Sequence, residues 1–351
     1  MTDQNIEFHN VDHLERVEGM SGLRLHRFPE KFTKQLGVEG NYNGRFRAQR
    51  PHGCELRFVT EGEFFDLALT AVEGDNDIVI YYGDRMHSKH TLRNGNTTVL
   101  HVEKPEIYSS VDTSRLRKGR FAPKVWRVQF GMNSYMHFNY IDTFGFSIRP
   151  PGKAEKPDTL WAAYGSSITC GSVSALYSNS YVNQAALRLN YDVLNKGLSG
   201  SCLCEAFAAD YLAELEVDVL TLELGVNMVL FFEEAQYRSR IQYFLQKMRD
   251  SRAGRIYIID MFPNKGLIAA DESSKYYVNY RSFKAILREE LEIISDRKMV
   301  LIPGEEILKD FIYLSTDLLH PSDDGHIRMG EHLANWIHSY EKGAAAASIQ
   351  M

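Results

Sequence analysis

At Arg149-Pro150-Pro151-Gly152-Lys153-Ala154-Glu155-Lys156-Pro157 the hydrophobic rhythm of the chain changes, and each side of that stretch calls for its own architecture. Ahead of it, short apolar or alternating blocks run over 54–60, 64–72, 77–82, 97–102, 125–130 and 136–148. Turn clusters such as Glu73-Gly74-Asp75-Asn76 and Arg93-Asn94-Gly95-Asn96 punctuate them. Alternation with a period of two puts every second side chain on one face, so these blocks predict an antiparallel β-sandwich of jelly-roll type. After it, apolar strand-like runs at 160–164, 192–195, 217–224, 255–261 and 299–302 alternate with helical stretches. The helices are expected over 181–189, 205–214, 233–252, 280–297 and 325–340. Strands that alternate with helices build a parallel sheet covered on both faces. The three prolines between the two patterns mark a linker. The expected division is therefore 1–150 as an N-terminal β-sandwich, 151–158 as linker and 159–351 as an α/β domain.

Open parallel sheets gather their reactive groups at the carboxyl ends of the strands. Four short segments fall there in order: Gly165-Ser166-Ser167-Ile168-Thr169, Ser199-Gly200, Gly225-Val226-Asn227 and Asp317-Leu318-Leu319-His320. A serine hydroxyl is a poor nucleophile until a base takes its proton, and an imidazole does so better when a carboxylate fixes its tautomer. Ser167, His320 and Asp317 supply those three groups. The oxyanion of a tetrahedral intermediate needs preorganised donors, and the N–H of Ser167, the N–H of Gly200 and the side-chain amide of Asn227 are the candidates. Taken singly each segment has a plainer reading: a tight turn at Gly200, a loop amide at Asn227, a solvated loop at Asp317-x-x-His320. Their order and common placement favour a site.

The other histidines fit this chemistry less well. His326, His332 and His338 are six residues apart, which spreads them around a helix, and they read as surface or packing residues. His9 and His13 lack the glutamate of an H-E-x-x-H pattern, so no metal is expected. Cys54 and Cys170 stand alone and Cys202-x-Cys204 has no second pair, which leaves buried free thiols as the expectation. A net charge of −6 gives no electrostatic reason for a nucleic-acid or anionic-membrane partner. Apolar runs stay well short of the roughly eighteen residues a membrane helix requires. The polar, acidic start Met1-Thr2-Asp3-Gln4-Asn5 does not resemble a secretion signal, and a cytoplasmic location is expected.

The ordered set of Gly165-Ser166-Ser167, Gly200, Asn227 and Asp317 with His320 resembles the blocks of the SGNH hydrolase superfamily, the GDSL-type esterases, over roughly 159–340. The resemblance implies a three-layer α/β/α flavodoxin-like domain, a Ser-His-Asp mechanism and no cofactor. Two positions depart from the family pattern. Ser166 stands where Gly-Asp-Ser has aspartate, a substitution also seen in the branch with a Gly-Ser-Ser-Ile-Thr start, and it leaves the nucleophile ambiguous by one residue. Met228 stands where Gly-x-Asn-Asp has its carboxylate. A jelly-roll-like domain ahead of such a domain is similar to bacterial carbohydrate esterases that remove acetyl groups from sugars.

The resulting expectation is a serine esterase acting on a small O-acylated, above all O-acetylated, sugar or short oligosaccharide. The alternatives are a lipid acylhydrolase or thioesterase on the same machinery, and a catalytically silent carbohydrate-binding protein. Tyr81, Tyr82, Trp126 and Tyr135 could stack on sugar rings, with the sandwich core the expected place for most of them. A homo-oligomer stays open.

Overall fold

The computed structural model describes every residue except Gln4, Arg117, Lys118, Gln350 and Met351. The chain forms two compact units, one of residues 1–33 and 48–158, the other of residues 34–47 and 159–351.

The first unit is a β-sandwich of two antiparallel sheets. One sheet runs in the order Thr2–Asp3, Ile6–His9, Glu55–Thr60, Trp126–Phe130, Asn76–Tyr82, Arg85–Leu92, with Ile148–Arg149 added to Glu55–Thr60. The other runs His13–Glu15, Leu23–His26, Tyr135–Asp142, Phe64–Val72, Thr97–Glu103. Alternate side chains from both sheets, among them Phe8, Leu56, Phe58, Leu67, Leu69, Val128 and Phe138, form a common core. Within it Phe58 meets Phe65 edge-on at 5.0 Å between ring centres. Tyr81, Tyr82, Trp126 and Tyr135 are all buried and serve as packing residues, and Tyr82 also lines a cavity with Met86, Ile107 and Tyr108. The run expected as one strand to Ile148 breaks at Phe144 and Gly145, both at positive φ (54° and 88°), and the chain crosses back to the first sheet.

In the second unit five parallel strands carry the fold: β1 (Thr159–Tyr164), β2 (Tyr191–Asn195), β3 (Val219–Glu223), β4 (Arg255–Ile259) and β5 (Met299–Ile302). Their order is β2-β1-β3-β4-β5. The helices that frame the sheet and its loops include α1 (Ser167–Cys170, a single turn), α2 (Tyr181–Leu189), α3 (Ala206–Ala213), α4 (Glu234–Arg249), α5 (Lys275–Ile294) and α6 (Asp323–Ile349). Trp161 and Ala163 of β1 point to the face covered by α2 and α6, in one core with Ala185, Met329, Leu333 and Ile337. On the opposite face Tyr164 stacks on Phe244 of α4, and Tyr237 of α4 stacks on Phe283 of α5. Ser180 and Ser274 cap α2 and α5, and Asn190 and Ser295 end them in left-handed conformations (φ 58° and 47°). These are the start and stop signals that polar residues with short side chains supply. The result is the doubly wound three-layer α/β/α arrangement with its strand-order reversal between β1 and β3, where such sheets open a crevice.

Two features differ from the expected division. Residues 34–47, expected inside the N-terminal β-sandwich, cluster with the α/β unit. The stretch expected as a linker belongs to the first unit. There Glu155 O accepts from Ala122 N at 2.9 Å and the Glu155 carboxylate binds Arg149 through two nitrogens at 2.7 and 2.9 Å. All four cysteines are buried and free. No helix among the described residues is long and apolar enough to cross a membrane.

Candidate active site

β1 ends at Tyr164, and the tight passage from strand to helix is possible because the next residue, Gly165, has no side chain. A Cβ there would lie 2.2 Å from Thr169 Oγ1 and 2.7 Å from Glu223 Oε2. Ser166 is the N-cap of α1 and its hydroxyl accepts from Ile168 N at 3.1 Å. Ser167 is therefore the first helical residue, with its hydroxyl turned away from the cap. The geometry separates the two serines: Ser166 Oγ binds the helix N-terminus, and Ser167 Oγ lies 2.7 Å from His320 Nε2.

The histidine comes from the loop between β5 and α6. That loop is pinched where Leu314 pairs with Pro321, and Ser315 N donates to His320 O at 2.8 Å. Leu318 adopts φ +54°, a conformation uncommon for a branched side chain, and this turns the chain so that Asp317 and His320 face the same way. Lys265 N, from the loop after β4, holds Leu318 O at 2.7 Å. Asp317 Oδ2 accepts from His320 Nδ1 at 2.6 Å, which leaves Nε2 to accept the Ser167 proton. Asp317 Oδ1 accepts from Ser315 Oγ at 2.8 Å, Leu319 N at 2.9 Å and His320 N at 3.0 Å. Partial burial alone would raise the Asp317 carboxyl; these donors, led by the imidazole, outweigh it and hold the carboxyl far below the usual range. Ser322 Oγ then accepts from Gly325 N at 3.1 Å and caps the first turn of α6.

The three candidate oxyanion donors follow β1, β2 and β3, on either side of the β1/β3 reversal. Gly200 has φ +67°, which glycine adopts without strain. Asn227 Oδ1 accepts from Cys202 N at 3.1 Å, so the amide is oriented with its NH₂ on the opposite side. Among the described residues, Ser167 N, Gly200 N and Asn227 Nδ2 donate to no protein acceptor. The four segments singled out for this chemistry are thus set at the same end of the sheet, and Ser167, His320 and Asp317 are joined in one hydrogen-bonded chain.

Two further residues lie beneath this site, one of which, Glu223, sequence reasoning missed. Glu223, at the end of β3, is fully buried; its Oε2 accepts from Ser166 N at 2.6 Å and Thr169 Oγ1 at 3.2 Å. Burial pushes its carboxyl up to about 7 against those hydrogen bonds. A carboxylate closing the otherwise apolar run Val219-Leu220-Thr221-Leu222 was the available signal. His326 was read as a surface or packing residue, and it is the latter. Fully buried, its Nδ1 accepts from Tyr181 N at 3.4 Å and its Nε2 donates to Ser172 O at 2.9 Å. Ser172 N in turn donates to Ser167 O at 3.0 Å, so α6 braces the turn that carries Ser167. Burial brings the His326 imidazole down to about 4, so it is neutral at physiological pH.

A family model described as the GDSL-like lipase/acylhydrolase family matches residues 160–338, and the chain belongs to that family of carboxylic ester hydrolases. Among curated proteins none matches the sequence. Among solved structures the chain is similar to the salicylyl-acyltransferase SsfX3 from a tetracycline biosynthetic pathway, with a TM-score of 0.79 at 15% identity over 97% of this chain and 96% of that one. It is also similar to a family two carbohydrate esterase from Cellvibrio japonicus, with a TM-score of 0.61 at 12% identity over 96% and 95% of the two chains. A third is the acetyl xylan esterase Est2A from the rumen bacterium Butyrivibrio proteoclasticus, with a TM-score of 0.58 at 12% identity over 97% and 96%. At these identities the likeness is one of fold.

Proposed function

We propose that the chain is a serine esterase that removes acyl groups, foremost acetyl, from the hydroxyls of sugars or short oligosaccharides. The observation that carries this reading is the Ser167–His320–Asp317 chain of hydrogen bonds at 2.7 and 2.6 Å. Ser167 Oγ attacks the ester carbonyl while His320 Nε2 takes its proton. The imidazolium is stabilised by the ionised Asp317 and then protonates the departing alcohol. Negative charge on the carbonyl oxygen is met by Ser167 N–H, Gly200 N–H and the Asn227 amide. Water, deprotonated by the same imidazole, cleaves the acyl-enzyme and restores the serine. The sugar alcohol is supported by the names of two structural relatives, a carbohydrate esterase and an acetyl xylan esterase.

A second reading, a bulkier apolar or aromatic acyl group, is favoured by exposed side chains on the loops at this end of the sheet. These are Leu230 and Phe231 after β3, Leu267 and Ile268 after β4, and Leu318 beside His320. Release of p-nitrophenol from acetate through long-chain and aromatic esters, by the wild type and by Ser167→Ala, tests both. Acetate preference that vanishes in the variant supports deacetylation, and preference for bulky acyl groups selects the second reading. Activity that survives in Ser167→Ala refutes the nucleophile.

A further inference from the structure

The family match begins at residue 160, yet the loop that carries Gly200 is held from far outside it. We infer that Asn41 is a positioning residue for the oxyanion hole and that residues 34–47 are a strap on which the reaction depends; the inference rests on the role proposed above for Gly200. Asn41 Nδ2 donates to Gly200 O at 2.8 Å, and Asn41 is 5% exposed. Its own amide is oriented, because Oδ1 accepts from Asn43 N at 3.2 Å. The backbone beneath it is fixed as well: Val38 N donates to Asn41 O at 3.0 Å and Asn41 N to Val38 O at 2.8 Å, around a turn closed by Gly40 at φ +82°.

Two further contacts seat the strap on the same loop. Gly37 N donates to Glu205 Oε1 at 3.2 Å. Gly44 lies so close that a Cβ on it would come 3.1 Å from Ser201 Cβ. Gly200 is exposed and in a conformation where glycine has wide freedom, so its backbone gains little restraint from its own residue type. Fixing its carbonyl fixes ψ at Gly200 and damps rotation of the preceding peptide, whose N–H is the oxyanion donor. Preorganisation of this kind acts on the transition state, because a donor that must be reoriented during reaction loses most of its effect.

The test uses the full chain with Asn41→Ala, Asn41→Asp and Ser167→Ala, assayed on the best p-nitrophenyl ester. Asn41→Ala is expected to lower kcat on the order of 10- to 100-fold, the scale of a misplaced catalytic group, with KM within about threefold and a folded protein by melting temperature. Asn41→Asp keeps the acceptor for Asn43 N but sets a carboxylate against Gly200 O. Its kcat relative to wild type should therefore rise as pH falls and the carboxyl becomes a donor, a response that a purely structural role does not produce. Wild-type kcat in both Asn41 variants, or a loss that follows only the unfolded fraction, overturns the inference. If Ser167→Ala is inert while the Asn41 variants keep wild-type kcat, positioning by Asn41 fails and the esterase reading stands. If Ser167→Ala is active, that reading fails and takes the inference with it.

Discussion

Glu223 sits under the turn that carries Ser167, and its ionisation should be visible in the stability of the protein. Folded, it keeps a proton up to about pH 7, while a free glutamate releases it near 4.5. Between those values the folded chain binds more protons than the unfolded one, so stability falls as pH rises and the cost is complete above about 7. At 1.36 kcal/mol for each unit of pKa, the charged folded form carries a cost of about 3 kcal/mol. Glu223→Gln retains an acceptor for Ser166 N and Thr169 Oγ1 and has no charge to bury. Its melting temperature should equal that of wild type near pH 4.5 and exceed it by roughly 6–12 °C at pH 8, taking about 2–4 °C per kcal/mol for a unit of this size. His326 has the opposite sign: with its imidazole brought down to about 4, the folded chain declines a proton that the unfolded chain takes near 6.5, and stability rises with pH across that window. In wild type these two slopes oppose each other, and the variant loses only the glutamate one, so the difference between variant and wild type isolates Glu223. Calorimetry from pH 4.5 to 8.5 reads both effects. A difference between variant and wild type that does not change with pH would refute the buried, proton-holding carboxyl.

Asn227→Ala removes one of the proposed oxyanion donors and should lower kcat by about 10²–10³ with little change in KM, measured by steady-state ester hydrolysis. Asp317→Asn keeps the shape but loses the charge and the tautomer it enforces, so activity at neutral pH should drop on the order of 10⁴-fold. Because the Asp317 carboxyl is held far below the usual range, mild acid should not reproduce that variant by protonating it. Gly165→Ala places a methyl group 2.2 Å from Thr169 Oγ1 and 2.7 Å from Glu223 Oε2, and should cost soluble yield and melting temperature as well as activity; a normally stable, active variant would show that the turn can open.

The α/β unit was largely legible because its strands are apolar on both faces and its helices carry clear end signals; β5 and α2 fall on the expected residues. The placement of the candidate site was legible for a different reason, since loops at the strand ends of a parallel sheet come together there, and all four segments lay on such loops. What escaped was either polar or remote. The strand Arg85–Leu92 reads Arg-Met-His-Ser-Lys-His-Thr-Leu, without apolar alternation, because it is a sheet edge whose one buried residue is Leu92. Glu223 was hidden because a single carboxylate in an apolar run looks like a strand end. Asn41 carried no local signal, since its meaning lies in a hydrogen bond to a residue 159 positions away.

The split composition of the α/β unit bears on how the protein is made. Synthesis delivers residues 34–47 long before residue 159 emerges, so this segment waits without its binding surface while the β-sandwich strands on either side of it pair up. Only when the region around Ser199 and Glu205 has left the ribosome can the waiting segment close onto it, which makes this a late, long-range step in folding. A fragment cut at the start of the family match would omit that step altogether, and the split predicts that such a fragment, however well its sheet assembles, is a poor esterase beside the complete chain.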